Sequence, residues 1–294
     1  MLKAASLGPM AVMGFALPDL RTRRMRLSAE QERATRSREE ESLFIQRLRE
    51  ISIFSRYMGK TVLRAYQLEV AEAIIDSIVH QRGHSIVVMF PRQSGKNHVQ
   101  AQIEVYLMAL FAQCGAEMIK FSPTYAPQCQ NAMRRLEAAL EANSFTKGRW
   151  RKSSGNHYRL HNAHLTFLSA APGSNIVGAT ASTMLALDEA QDIEIEKYDK
   201  QIAPMAASTN ATRVFWGTAW SGQTLLAREL RQAQEAEARD GMRRVFRLSA
   251  EEVRQEVPAY GAFVDEQVRR LGRMHPMVRS QFFSEEIDFA GGLF

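Results

Sequence analysis

From residue 61 onward, hydrophobic positions come in short runs separated by stretches of helical period. The run at 85–90 (SIVVMF) is apolar at consecutive positions, which predicts a strand buried on both faces. Beyond it, Val99, Ile103, Leu107 and Leu110 recur at intervals of three and four, predicting a helix over 96–113 with one apolar face. A second strand is predicted at 117–121, then a helix over 127–142 after the turn at Ser122, Pro123 and Thr124. Residues 158–169 read as a hairpin or paired strands, and further strands are predicted at 183–187, 213–216 and 244–248. A very charged helix over 224–239 is expected at the surface. Buried strands alternating with helices predict an α/β fold with a mainly parallel central sheet flanked by helices.

Before residue 61 the pattern differs. Residues 1–60 read as an N-terminal basic arm and helical segment. The arm, 1–26, ends in Arg21, Arg23, Arg24 and Arg26, and the helix begins near Ser28 and Glu30 with Leu43, Phe44, Leu48 and Ile51 as its stripe. Residues 61–294 read as a second, globular domain. The chain has 294 residues and a formal net charge of +6. Residues 1–60 hold 12 Lys and Arg against 7 Asp and Glu, so almost all of the excess lies there. That excludes a uniformly basic nucleic-acid-binding body; a DNA contact in the second domain would use a local patch or an oligomeric ring. The two cysteines, Cys114 and Cys129, form no CxxC or Cys/His cluster and are expected to be free, buried thiols. No apolar run reaches the roughly 18 residues of a membrane span. Residues 4–17 imitate a signal peptide, but Pro9 and two glycines argue against it.

Candidate chemistry begins between the strand at 85–90 and the helix at 96–113, in the loop Pro91, Arg92, Gln93, Ser94, Gly95, Lys96 and Asn97. Phosphate binding needs backbone N–H groups aimed at one point, a helix N-terminus behind them and a Lys ammonium, and this loop supplies all three. Gly95 permits close approach, and Lys96 would contact the β- and γ-phosphates. The usual pattern G-x-x-x-x-G-K-[ST] is broken twice: Phe90 stands at the first Gly and Asn97 at the Ser or Thr. Asn97 still offers an amide oxygen to Mg²⁺ or its water shell. The strand at 183–187 ends in Asp188 and Glu189, where a parallel sheet presents its ligand site. Asp188 would hold Mg²⁺, and Glu189 would orient and activate water. Taken alone, that acidic pair also reads as the cap of the next helix. Loop and strand end together predict a P-loop NTPase of the ASCE, RecA-like kind that binds and hydrolyses ATP. Ahead of the first strand, a Gln67 amide can pair with the adenine edge and Tyr66 can pack on the ring; the same residues also read as an ordinary helix start. Gly217, Thr218 and Ala219 read either as a γ-phosphate sensor or as a plain strand-ending turn.

On these segments the sequence resembles the ATPase domain of viral, bacteriophage-type terminase large subunits, the motors that pack double-stranded DNA into a procapsid. The carriers are LRAYQ at 63–67, PRQSGKN at 91–97, the approach to DEA at 173–190, and WGTA at 216–219. The deviant R-Q-x-G-K loop is a common form in that family. The resemblance implies that Gln67 reads adenine, that Arg92 and Lys96 contact the phosphates, that Asp188 binds Mg²⁺, and that Glu189 is the catalytic carboxylate. Gly217, Thr218 and Ala219 would then be the coupling motif. It further implies a homo-oligomeric ring, commonly a pentamer on the portal protein, with a small terminase subunit as partner. The expected location is the cytoplasm of the infected bacterial host, outside any membrane. One subunit would supply an arginine to its neighbour, with Arg134 and Arg135 as candidates. The family's nuclease domain is missing from the sequence, which ends near its junction, so no DNA cleavage is expected. Two other readings stand beside this one: a helicase-like ATPase, suggested by LDEAQ at 187–191, and a non-catalytic assembly subunit with a degenerate nucleotide site, suggested by Asn97.

Overall fold

The computed structural model describes residues 43, 46–174, 176 and 178–287. The expected arm, nearly all of the helix ahead of residue 51, and the segment 288–294 lie outside the described residues. The chain divides into two compact units, 1–48 and 49–294, and only the second is treated below.

Eight strands form one sheet: β1 (Ser85–Met89), β2 (Ala116–Ser122), β3 (Trp150–Ser153), β4 (His157–Leu160), β5 (Ala163–Ser169), β6 (Met184–Leu187), β7 (Thr212–Gly217) and β8 (Val245–Arg247). Their order is β3-β4-β5-β2-β6-β7-β1-β8. All neighbours from β5 to β8 are parallel, whereas β4 pairs antiparallel with both β3 and β5, so of the eight strands only β4 runs against the others. The helices are α1 (Ile51–Tyr57), α2 (Ala65–Val79), α3 (Lys96–Leu110), α4 (Gln130–Ala142), α5 (Leu225–Asp240), α6 (Ala250–Glu256), α7 (Pro258–Leu271) and α8 (Pro276–Phe283).

The expected doubly covered parallel sheet is present. On one face, Ile86 and Val88 of β1 and Phe167 of β5 share a core with Ile74 of α2, Leu107 of α3, Leu136 of α4 and Val264 of α7. On the other, Val87, Met89 and Phe215 meet Tyr198, Ile202, Leu226 and Leu230. Each fully buried Val, Leu, Ile or Phe contributes about 1.5–3 kcal/mol, which is why the central strands are mostly apolar, the buried Lys120 inside β2 being an exception that is paired with Glu104 of α3.

Three findings depart from the sequence expectations. β3 was not foreseen, because Trp150, Arg151, Lys152 and Ser153 form a polar edge strand without an apolar run. The charged helix is not merely superficial: α5 buries Leu225, Leu226, Leu230 and Ala233 against the sheet and exposes its other face. Its start is fixed by Thr224, whose hydroxyl accepts from the Ala227 amide at 3.3 Å, and its end by Gly241 at φ 72°. Cys114 is exposed rather than buried, since it sits on the turn that ends α3, while Cys129 is buried; both are free. No helix among the described residues is long and apolar enough to cross a membrane.

Candidate active site

β1 ends at Met89, and the chain turns through 90–95 into α3. Gly95, at φ 90°, caps α3 in a conformation that only glycine adopts freely. A Cβ there would also fall 2.5 Å from Gln67 Nε2. Gln93 takes a left-handed φ of 63°. The loop is braced from behind by α2. Tyr66 Oη donates to the Ser94 carbonyl at 2.8 Å, and Gln67 Nε2 donates to the Gly95 carbonyl at 3.3 Å. The Gln67 Oε1 accepts from the Arg64 amide at 3.0 Å, closing a capping arrangement at the start of α2. Both polar ends of the buried Gln67 side chain are thus engaged within the chain. The amide expected to read adenine here donates to the loop. Ser94 is also turned inward, its hydroxyl donating to the Pro91 carbonyl at 2.7 Å.

β6 lies two strands from β1 with β7 between them, so three strand ends converge. Lys96 Nζ donates to Glu189 Oε1 at 2.9 Å, with the lysine almost buried and the carboxylate a quarter exposed. Glu189 is held at φ 48°, ψ 50°. A non-glycine residue in that region is uncommon, and such strain clusters at active sites. Gln191 Nε2 donates to the other Glu189 oxygen at 2.9 Å and to Asp192 Oδ2 at 3.2 Å. Gln191 Oε1 accepts from the Thr218 amide at 3.2 Å. One amide therefore joins the acidic strand end to the turn after β7. A Cβ at Gly217 would crowd the ends of two side chains, Gln191 Oε1 and, at 2.5 Å, Leu226 Cδ2, so a larger residue there would have to displace the Gln191 amide. Burial, and then the neighbouring Glu189 carboxylate, raise the Asp192 carboxyl above its usual range.

Beneath this layer, Gln100 Nε2 sits between two acceptors, Asp188 Oδ1 at 3.0 Å and Asn97 Oδ1 at 3.4 Å. Asp188 also accepts from the Glu189 amide at 3.2 Å. The two residues predicted to face Mg²⁺ are thus aligned by a third. Among the described residues there is no cluster of three His, Cys, Asp or Glu that could hold an ion on its own. Mg²⁺ is commonly held by one or two carboxylates plus substrate phosphates and waters, so Asp188 and Asn97 fit an ion that arrives with a nucleotide.

Pro91, Arg92, Gln93, Gly95, Lys96, Asn97, Glu189 and Thr218 line one cavity of about 410 Å³, together with His98 and Arg135. Ala219 lines an adjoining cavity of about 240 Å³ with Arg92, Glu189 and Thr218. Tyr66 lines a separate cavity of about 190 Å³ with Phe90, Phe246, Arg247 and Leu248. Of the two candidate arginines, Arg135 faces the cavity of its own chain, whereas Arg134 bonds to Asn131 on its own helix and is not part of the lining. The two adjoining cavities therefore bring together Arg92, Gln93, Gly95, Lys96, Asn97, Arg135, Glu189, Thr218 and Ala219, whereas Tyr66 lines the separate cavity and Gln67, Ser94, Asp188, Gly217 and Arg134 line none of the three. Sequence reasoning missed Gln100 and Gln191; the first stands four residues after Lys96, one helical turn on, which is the only cue it offers.

No protein-family model matches the sequence, and no curated protein matches it. Solved structures do. The large terminase of bacteriophage HK97 matches with a TM-score of 0.64 at 15% identity, covering 81% of this chain and 55% of that one. The large terminase ATPase domain of Thermus phage P74-26 matches at 0.58 and 17% identity, covering 77% of this chain and 95% of that domain. The large terminase of a thermophilic bacteriophage, solved in complex with ADP, matches at 0.55 and 11%, covering 76% and 53%. The chain thus spans about half the length of the full-length terminases it matches. At these identities the likeness is one of fold: the chain has the α/β P-loop NTPase fold of the phage large-terminase ATPase domains.

Proposed function

We propose that this chain is the ATP-hydrolysing motor domain of a viral DNA-packaging terminase, coupling hydrolysis to movement of double-stranded DNA into a procapsid. The observation that carries the reading is the 2.9 Å pair between Lys96 and Glu189, set at the N-terminus of α3 beside a cavity with room for a triphosphate. A terminase of the same fold has been solved with ADP and with ATP-gamma-S, which supports a nucleotide in this cavity.

The residues divide the work. The loop amides, Arg92 and Lys96 bind the phosphates, helped by the α3 N-terminus. A phosphate draws Lys96 away from Glu189, and the freed carboxylate orients and activates a water. Mg²⁺, held by Asp188 and Asn97, would neutralise charge on the phosphates. Gln191 follows Glu189 and pulls on the Thr218 amide, so a change at the nucleotide reaches the turn at Gly217, Thr218 and Ala219. On this reading the chain works in a ring, commonly of five, on the portal protein, with a small terminase subunit and double-stranded DNA as partners. Its place is the host cytoplasm, at the procapsid portal.

ATP turnover tests the proposal. The wild-type chain is expected to turn over slowly and faster with duplex DNA, and Glu189→Gln to lose at least about 10²-fold while still binding nucleotide. Turnover that survives the substitution sinks the assignment. Strand separation of a duplex would favour a helicase, and nucleotide binding without wild-type turnover a non-catalytic subunit.

A further inference from the structure

Basic residues in the folded unit are unevenly placed. Between Glu141 and Asp188 the chain contains no acidic residue, yet it carries Lys147, Arg149, Arg151, Lys152 and Arg159. These fall at the antiparallel end of the sheet, and strand alternation sorts them by face. Trp150, Lys152 and Tyr158 face α4. Lys152 Nζ donates to Glu137 Oε1 at 2.8 Å, and Tyr158 Oη donates to the same oxygen at 2.6 Å. Arg151 and Arg159 stand on the other face, directly opposite each other in register. Arg159 is in turn opposite His164 of β5.

Like charges directly opposite on an antiparallel pair destabilise it, so this pairing asks for a compensating anion. None is paired with either arginine among the described residues. Lys147, Arg149, Arg151 and Arg159 are exposed and form no ion pair among the described residues. Arg151 Nη1 donates only to the carbonyls of Gly148 and Trp150, at 3.2 and 2.9 Å. Arg149 stacks over Phe145, its guanidinium 5.3 Å from the ring. Glu117 of β2 lies 3.5 Å from His164 Nδ1, a contact that is an ion pair when the imidazole is protonated. Burial, and then the neighbouring His164 and Arg159, hold the His157 imidazole below its ordinary pKa. The core on this side of the sheet draws on β1, β2, β6 and β7, and from the antiparallel end takes only the half-buried Leu168. Among the described residues the face is therefore open.

We propose that this open face of β3 and β4, centred on Arg151 and Arg159, docks the phosphate backbone of double-stranded DNA. The inference rests on the DNA-moving reading and locates its grip. Arg151 and Arg159 on the strand pair, with Lys147 and Arg149 in the turn just before β3, lie on the surface rather than in a pocket and suit a polyanion with charges at regular spacing; one small anion would leave most of them unneutralised. Arginine adds a planar fork that binds phosphate oxygens two at a time.

The test is salt-dependent binding of a labelled random-sequence DNA duplex to the full chain, followed by fluorescence anisotropy. Each phosphate contact contributes about 0.9 to the slope of log K against log salt. The double variant Arg151→Gln, Arg159→Gln is expected to lower that slope by about 2 and to weaken binding about tenfold or more near 0.1 M salt. A control with the same charge change on α7, Arg269→Gln with Arg270→Gln, is expected to leave the slope within 0.5 or so of wild type. The hairpin variant is also expected to melt no lower than wild type, since it removes a like-charge pair. Equal slopes for wild type and hairpin variant, equal loss in both variants, or no duplex binding by wild type overturns the proposal. ATP turnover without DNA, measured on the same proteins, is expected to be unchanged. If turnover is lost in Glu189→Gln while the slopes stay equal, the motor reading stands and only this surface falls.

Discussion

Gln100 is 2% exposed and spends its one amide nitrogen on two oxygens, those of Asp188 and Asn97. Its own Oε1 has no hydrogen-bond partner among the described residues. A buried amide is costly unless its position matters, and here it holds two candidate metal-facing groups in one orientation. Replacing it by Leu keeps the volume and removes the donor. Partners of this kind typically set metal affinity by 10- to 100-fold. Gln100→Leu is therefore expected to raise the Mg²⁺ concentration for half-maximal turnover by about tenfold or more. Binding of a fluorescent ADP in the presence of EDTA should not change. Parallel loss of both would mean that Gln100 only supports the fold. The cysteines give a second check at this scale. Burial pushes the Cys129 thiol up to about 11, and the thiolate is the reactive form. At pH 8 an alkylating reagent is expected to add one group to the native chain, at exposed Cys114, and two in denaturant. Rapid double modification of the native chain would show that Cys129 is reachable.

α3 is the element that carries the site, and it is tied to the sheet by a buried ion pair. Lys120 of β2 donates to Glu104 Oε1 at 2.6 Å, with both side chains 3% exposed. Burial raises the Glu104 carboxyl, and Lys120 opposes it. Removing one partner leaves a charge without compensation, a loss of about 3–5 kcal/mol, whereas replacing both with apolar groups is often neutral. Lys120→Met is expected to cost that much in urea unfolding, and Lys120→Met with Glu104→Leu to recover most of it. A double variant as unstable as the single one would show that the two positions do not act as a pair. Such features were hidden in the sequence for a physical reason. Strands buried on both faces, such as Ser85–Met89, announce themselves as unbroken apolar runs, and the sheet's parallel core was legible from them. β3 was not, because its residues alternate between α4 and solvent and none needs to be aliphatic. Lys96, Asp188 and Glu189 were readable as candidates because phosphate and metal chemistry would demand those residue types at strand and helix ends, and the structure sets Lys96 and Glu189 2.9 Å apart. Gln100, Gln191 and the inward turn of Gln67 were not, because amides enter hydrogen-bond networks that only the tertiary structure closes.

At the scale of the whole molecule, the open question is whether one chain holds a complete site. In the ring expected from the sequence, an arginine of one subunit completes the site of the next. The structure gives that expectation a sharper form: Arg135 of α4 already lines the cavity that holds Lys96 and Glu189 of the same chain, while Arg134 is bonded to Asn131 and is not part of the lining. A cation at the rim can stabilise charge that builds on the transferred phosphoryl group, an effect worth on the order of 10³-fold or more in related chemistry. Arg135→Ala is expected to lose turnover on that order, and Arg134→Ala to lose little. Mixing decides whose site the arginine serves. Arg135→Ala subunits keep Lys96 but lack the arginine, and Lys96→Ala subunits have the reverse defect. If Arg135 serves its own chain, every subunit in the mixture remains incomplete, and turnover stays at the sum of the two inactive preparations. If it serves a neighbour, a Lys96→Ala subunit completes the site of the Arg135→Ala subunit beside it, and turnover rises above that sum at equal mixing. The cavity lining predicts no rise. A rise that depends on protein concentration would move Arg135 to the interface and make the assembled ring, rather than the chain, the unit of catalysis.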